Sequence, residues 1–160
     1  MGASAEWWFY HIEHTSLDAA IGPLLEKCLE RNWRVVIAAN DETLGRLETA
    51  LWTWRDDSFL PHGRGRTDPR KQPILLSTTA DPANGAKVAL LLDGLDADGS
   101  RFDRCMVVFD GADEASRAKA RLQYKAASDA GAIAKYFQQE QGGGWSEKTP
   151  ARKPIDPPAD

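Results

Sequence analysis

The stretch from Arg34 to Gly63, RVVIAANDETLGRLETALWTWRDDSFLPHG, decides how the rest of the chain is read. It opens on Val35-Val36-Ile37-Ala38-Ala39, an apolar run rich in β-branched residues and closed by Asn40-Asp41. Such a run predicts a buried strand. A side-chain oxygen of Asn40 or Asp41 can accept a backbone N–H left free in the first turn of a following helix. Leu44, Leu47, Leu51 and Trp54 recur at helical spacing and give that helix one apolar face. Arg55-Asp56-Asp57-Ser58 ends the pattern, and Pro61 disfavours the helical conformation at Leu60. Strand, helix and extended exit make half of a βαβ unit, and nothing in this layout is catalytic.

Working outward, Trp7-Trp8-Phe9-Tyr10-His11-Ile12 is an aromatic first strand. Thr15-Ser16 offers a helix cap, and Leu17, Ile21, Leu24, Leu25, Cys28 and Leu29 form one apolar stripe behind it. Pro23 falls inside that stripe and predicts a kink or a later helix start. Pro73–Thr78, Lys87–Leu92 and Cys105–Phe109 are three further strands. The link between the first two of these is too short for a helix, so that pair is expected to be antiparallel. The first strand and the strand at Val35, joined by a helix, are expected to be parallel. Asp110–Glu114 turns the chain into a helix expected to run from Glu114 to Gln139, weakened at Gly131. Residues 1–140 are read as one domain and 141–160, rich in Gly and Pro, as a disordered tail. The expected fold is α/β: a single-domain, Rossmann-like mixed sheet flanked by helices, with no phosphate-binding loop.

Composition narrows the function. A length of 160 residues suits one domain, and 42% hydrophobic residues suffice for a core without disulfides. A net charge of −4 argues against wholesale nucleic-acid binding, so any acidic partner must meet a local basic patch. Cys28 and Cys105 each sit in an apolar run outside any CxxC and are expected to be buried, reduced thiols. No apolar stretch is long enough for a membrane span, and the N-terminus lacks the basic and apolar regions of a secretory signal. A cytoplasmic location is therefore expected.

On the last helix Arg117, Arg121, Tyr124, Lys125 and Ser128 share one face about 100° wide. Ala115, Ala118, Leu122, Ala126 and Ile133 cluster on the other side, which is expected to pack on the sheet. A tyrosine among cations suits an acidic peptide with an aromatic end, or a nucleic-acid backbone. Most charged helix faces are simply solvated, and the wheel alone does not choose. A loop holding Arg64, Arg66, Arg70 and Lys71 forms a second basic patch.

Asp41-Glu42, Leu51-Trp52 and Ser58-Phe59-Leu60-Pro61-His62 follow one another in the order strand, acidic cap, Leu-Trp helix end, Ser-Phe-Leu-Pro-His. In this the chain resembles the chi subunit family of bacterial DNA polymerase III, over roughly residues 7–137. The resemblance implies a non-catalytic accessory subunit of the clamp-loader assembly. It also implies that Arg117, Arg121, Tyr124 and Lys125, followed by Ala130-Gly131, receive the acidic C-terminal tail of single-stranded DNA-binding protein, which ends in Phe. Contact with the clamp loader would run through a psi-like subunit, and contact with DNA would be indirect or weak. The family's bulkier, more basic pair is replaced here by Ala127-Ser128.

Competing chemistries find little support. His11, His14 and His62 have poor spacing for convergence on zinc. Asp93, Asp96 and Asp98 before Gly99 fail the calcium-loop pattern, with Arg101 where Gly is needed and Val107 where a bidentate Glu belongs. No GxxxxGK[ST], GxGxxG or GxSxG occurs, and Glu13-His14-Thr15-Ser16 has no glycine to admit a phosphate. No metal and no cofactor are expected. The alternatives are a nucleotide-binding enzyme or sensor on a Rossmann-like fold, and direct DNA binding through the Arg64–Lys71 loop with the Arg117 face.

Overall fold

The computed structural model describes residues 5–53, 62–64 and 73–148, with the backbone alone for 51–53 and 62–64. Within them the strands and α-helices follow in chain order as β1 (Glu6–Ile12), α1 (Leu17–Glu30), β2 (Val35–Ala38), α2 (Asp41–Thr53), β3 (His62–Arg64), β4 (Ile74–Ser77), β5 (Val88–Leu91), β6 (Arg104–Asp110), α3 (Glu114–Asp129), β7 (Ala134–Gln139) and β8 (Trp145–Glu147). These strands form one 8-stranded sheet in the order β3-β4-β2-β5-β6-β1-β7-β8. All neighbours are parallel except β7 and β8. The α/β mixed sheet expected from the sequence is therefore the fold.

The strand alternation sorts side chains into two cores. Tyr10, Ile12, Val35, Ile37, Ile74, Leu76, Met106 and Val108 point to the face covered by α1 and α2, where Ile21, Leu25, Leu44 and Leu47 meet them. Phe9, Val36, Ala38, Leu75, Leu91, Cys105, Val107 and Phe109 point to the face covered by α3 through Ala120. Full burial of a Leu or Ile stabilises by about 1.5–3 kcal/mol each. Both cysteines are free and buried, and burial pushes the Cys105 thiol up to about 12. No helix among the described residues is long and apolar enough to cross a membrane.

Both expected caps form. Ser16 Oγ accepts from the Ala19 amide at 3.2 Å, and Asn40 Oδ1 accepts from the Thr43 amide at 2.9 Å. α1 starts at Leu17 in spite of Pro23, which sits inside the helix on its exposed side. The missing proline N–H costs one backbone bond, and the apolar stripe around it keeps the helix whole.

Four expectations are corrected. β4 and β5 are not an antiparallel pair: they flank β2, each parallel to it, so their connection crosses one strand without a helix. The last helix does not reach Gln139. It ends at Asp129, Gly131 takes a φ of +85°, and Ala134–Gln139 becomes β7, paired in parallel with β1. Leaving the helix lets Phe137 join one core and Tyr136 the other. Finally, α3 rests on the sheet through Ala120, Gln123 and Ala127. The expected packing face of Ala115, Ala118 and Ala126 is exposed, with Leu122 66% and Ile133 57% accessible. The strand Trp145–Glu147 also carries the sheet past the boundary expected at residue 140. Residues 149–160 lie outside the described residues.

Candidate functional site

The link from β6 to α3 sets the position of the basic helix. Asp110 Oδ1 accepts from the Ala112 amide at 2.9 Å, and the Gly111 amide donates to the Ile12 carbonyl at 2.9 Å. A Cβ at Gly111 would overlap the His11 imidazole and crowd that carbonyl. Glycine is required there because the turn passes directly over the end of β1. The small residues Ala120 and Ala127 then let α3 lie close to the sheet. Arg117, Arg121 and Tyr124 are left on the flank that faces β1 and β7.

On that flank a cleft of about 370 Å³ is lined by His11, Arg117, Arg121, Tyr124, Tyr136 and Lys148. Its floor is aromatic. Tyr124 packs against Phe9, with ring centroids 5.4 Å apart, and edge-on to Tyr136 at 6.3 Å. His11 lies against Phe109 at 5.1 Å, and its Nδ1 is 2.5 Å from the Tyr136 hydroxyl. Arg117 Nη1 donates to the Gly111 carbonyl at 3.1 Å, which holds its guanidinium at the rim. Lys148 enters from the end of β8, its amide donating to the Tyr136 carbonyl at 2.7 Å.

Burial lowers the His11 pKa below its ordinary value, and Arg117 adds to that effect against Glu13 and Asp110. The imidazole is therefore neutral at neutral pH. Burial raises the Tyr136 phenol, so its hydroxyl stays a donor. With His11 Nε2 turned toward Glu13 Oε1 at 3.8 Å, the geometry fits Tyr136 donating to Nδ1. The positive charge of the cleft thus comes from Arg117, Arg121 and Lys148.

Of the residues singled out in the sequence, the structure brings Arg117, Arg121 and Tyr124 together. Lys125 points away: its Nζ pairs with Asp129 at 3.0 Å one turn on, and it does not line the cleft. Arg64 lies on β3, described in its backbone only, and Arg66, Arg70 and Lys71 fall outside the described residues. His11, Tyr136 and Lys148 were missed. Reading 114–139 as one helix placed Tyr136 on the wrong element, and reading 141–160 as a tail removed Lys148. The Tyr136-Phe137 pair behind Gly131 was the available signal, because adjacent aromatics after a helix stop favour a strand.

Two other features bear on the chemistry. A larger groove of about 600 Å³ on the opposite flank of α3 is bordered by Asp96 and Asp98 as well as Lys119, so it is a poor seat for an acidic ligand. In the turn after β1, the amides of Glu13, His14 and Thr15 all donate to Gln139 Oε1, at 3.0, 2.8 and 3.2 Å. Gln139 is 3% exposed, and its Nε2 donates to Thr15 Oγ1 at 2.8 Å. Three successive N–H groups converging on one oxygen form the kind of nest that could hold a phosphate. Here the protein's own side chain fills it.

A family model described as DNA polymerase III chi subunit, HolC, matches residues 5–135. The chain is also 33% identical over 89 residues to a protein of Rickettsia prowazekii (strain Madrid E) named probable DNA polymerase III subunit chi. That similarity covers 54% of this chain and 54% of the relative, about half the length of each.

Proposed function

We propose a function from one premise: this chain belongs to the DNA polymerase III chi subunit family. It is a non-catalytic accessory subunit in DNA replication, and its cleft receives the acidic C-terminal tail of single-stranded DNA-binding protein. A psi-like subunit joins it to the clamp loader. One observation carries the reading: Arg117, Arg121 and Lys148 ring a cleft whose floor is built from Tyr124, Tyr136 and neutral His11. Carboxylates of the tail make charge-assisted hydrogen bonds to the two guanidinium groups. The terminal ring of the tail packs on the tyrosines, with Lys148 close by for the terminal carboxylate. Exposed ion pairs contribute about 0–1 kcal/mol each, so a few of them and one buried ring give affinity on the order of micromolar.

The test is fluorescence polarisation of a labelled acidic peptide ending in Asp-Ile-Pro-Phe, beside the same peptide without its Phe. Binding that needs the Phe and fades with added salt supports the reading. Equal binding of both peptides, or none at concentrations near ~100 µM, refutes it. Nucleotide binding has less support, because Gln139 occupies the nest where a phosphate would sit.

A further inference from the structure

The opposite face of the sheet carries a second group of cations that the cleft does not use. Lys135 on β7, Trp8 on β1, Arg104 on β6, Trp33 before β2 and Arg31 after α1 alternate cation and indole. Lys135 Nζ is 5.0 Å from a Trp8 ring centroid, and the Arg104 guanidinium carbon is 3.7 Å from Trp8. Arg104 also lies 5.0 Å from Trp33, and Arg31 lies 5.1 Å from Trp33. Stacking on an indole holds a guanidinium in place but leaves its N–H edges free for an anion. Beside this ladder is a cavity of about 230 Å³ with Tyr10, Cys28, Phe137 and Trp145 in its wall and Lys27 among its lining residues.

Among the described residues, none of Lys27, Arg31, Arg104 and Lys135 forms an ion pair with a carboxylate. Glu6 is turned instead to the Trp8 indole N–H at 2.9 Å. Four cations without carboxylate partners among the described residues, in a chain of net charge −4, mark a local anion-binding surface. We propose that this face binds single-stranded nucleic acid, with phosphates on Lys27, Arg31, Arg104 and Lys135 and a base in the aromatic cavity. Acidic segments without an aromatic side chain would satisfy the cations alone. Nucleic acid also uses the aromatic wall, because every base has a flat face that stacks. The surface is separate from the peptide cleft, so one molecule can hold both ligands. The proposal stands on the ladder and does not require the cleft to take a peptide.

Fluorescence anisotropy of a labelled oligothymidylate of about 20 nucleotides, against the full chain, tests it. Four neutralised phosphates give a slope of log K on log salt of about −2.8, which is roughly 50-fold weaker binding between about 50 and 200 mM salt. Lys27→Glu combined with Arg31→Glu changes two exposed side chains. It is expected to weaken binding at least ~10-fold and to reduce the slope to about −1.4, with an unchanged circular-dichroism spectrum. If that variant does not fold, Lys27→Gln with Arg31→Gln is read for the same reduced slope. No saturable binding near ~100 µM at low salt overturns the proposal, as does wild-type binding by a folded variant. Displacement by polyglutamate as effective as by unlabelled oligothymidylate also overturns it, and makes the face a site for acidic protein segments.

Discussion

Replacing Gln139 tests how the turn after β1 is held. Gln139 Oε1 accepts from three consecutive amides, and Gln139 Nε2 donates to Thr15 Oγ1. Leucine keeps nearly the same volume and removes all four bonds. A buried donor left without an acceptor costs about 1–3 kcal/mol. Glu13, His14 and Thr15 are themselves exposed, so water can reach part of the vacated turn. For Gln139→Leu this places the loss at about 2–4 kcal/mol, below three full penalties. At about 2–4 °C per kcal/mol for a chain of this size, the melting temperature should fall by roughly 5–15 °C.

Gln139→Glu keeps an acceptor for the three amides and gives up only the bond to Thr15. It is expected to stay within about 1 kcal/mol of wild type at neutral pH. Three N–H groups favour the charged carboxylate and hold its folded pKa below the unfolded value. The stability that the introduced carboxylate contributes is then present above its unfolded pKa and is lost as pH falls through the folded one. Urea unfolding of the three proteins at neutral and acidic pH decides the matter. A Gln139→Leu protein within ~0.5 kcal/mol of wild type, or equal losses for the leucine and glutamate variants, would refute the account of the turn.

Other outcomes follow from the same geometry. Arg117→Ala and Arg121→Ala should each weaken the acidic peptide several-fold with wild-type unfolding curves, and normal binding by either variant in the peptide titration refutes that residue's role in the cleft. Because burial lowers the His11 pKa, the unfolded chain takes up that proton first as pH falls through the ordinary His range. Wild-type stability should therefore decline from about pH 7 downward and level off below the folded pKa, and His11→Gln should flatten that part of the curve. Leu122→Ser, on the exposed side of α3, should change stability by no more than about 0.5 kcal/mol. Ala120→Leu, on the packed side, should cost about 1–3 kcal/mol through overpacking. Equal effects in thermal melts would return α3 to the orientation drawn from the helical wheel.

The sequence by itself determined the elements whose signals are local. The run at Val35, the cap at Asn40, the stripe of α1 and the strands at Ile74, Val88 and Cys105 were all legible. Each rests on periodicity and capping, which act over a few residues. The cluster Arg117, Arg121 and Tyr124 was legible for the same reason, since three residues at helical spacing share a flank wherever the helix lies. Tertiary structure decided what depends on the sheet. Ala134–Gln139 has a composition open to helix or strand, and the vacant edge of β1, with two cores to receive Tyr136 and Phe137, made it a strand. Small residues won the contact side of α3 because Ala120 and Ala127 allow close approach to the sheet, whereas the bulk of Leu122 does not. His11, Tyr136 and Lys148 come to one cleft from β1, β7 and the end of β8, more than a hundred residues apart in the chain between the first and the last. Only strand pairing brings them together, and no local pattern in the sequence records that pairing.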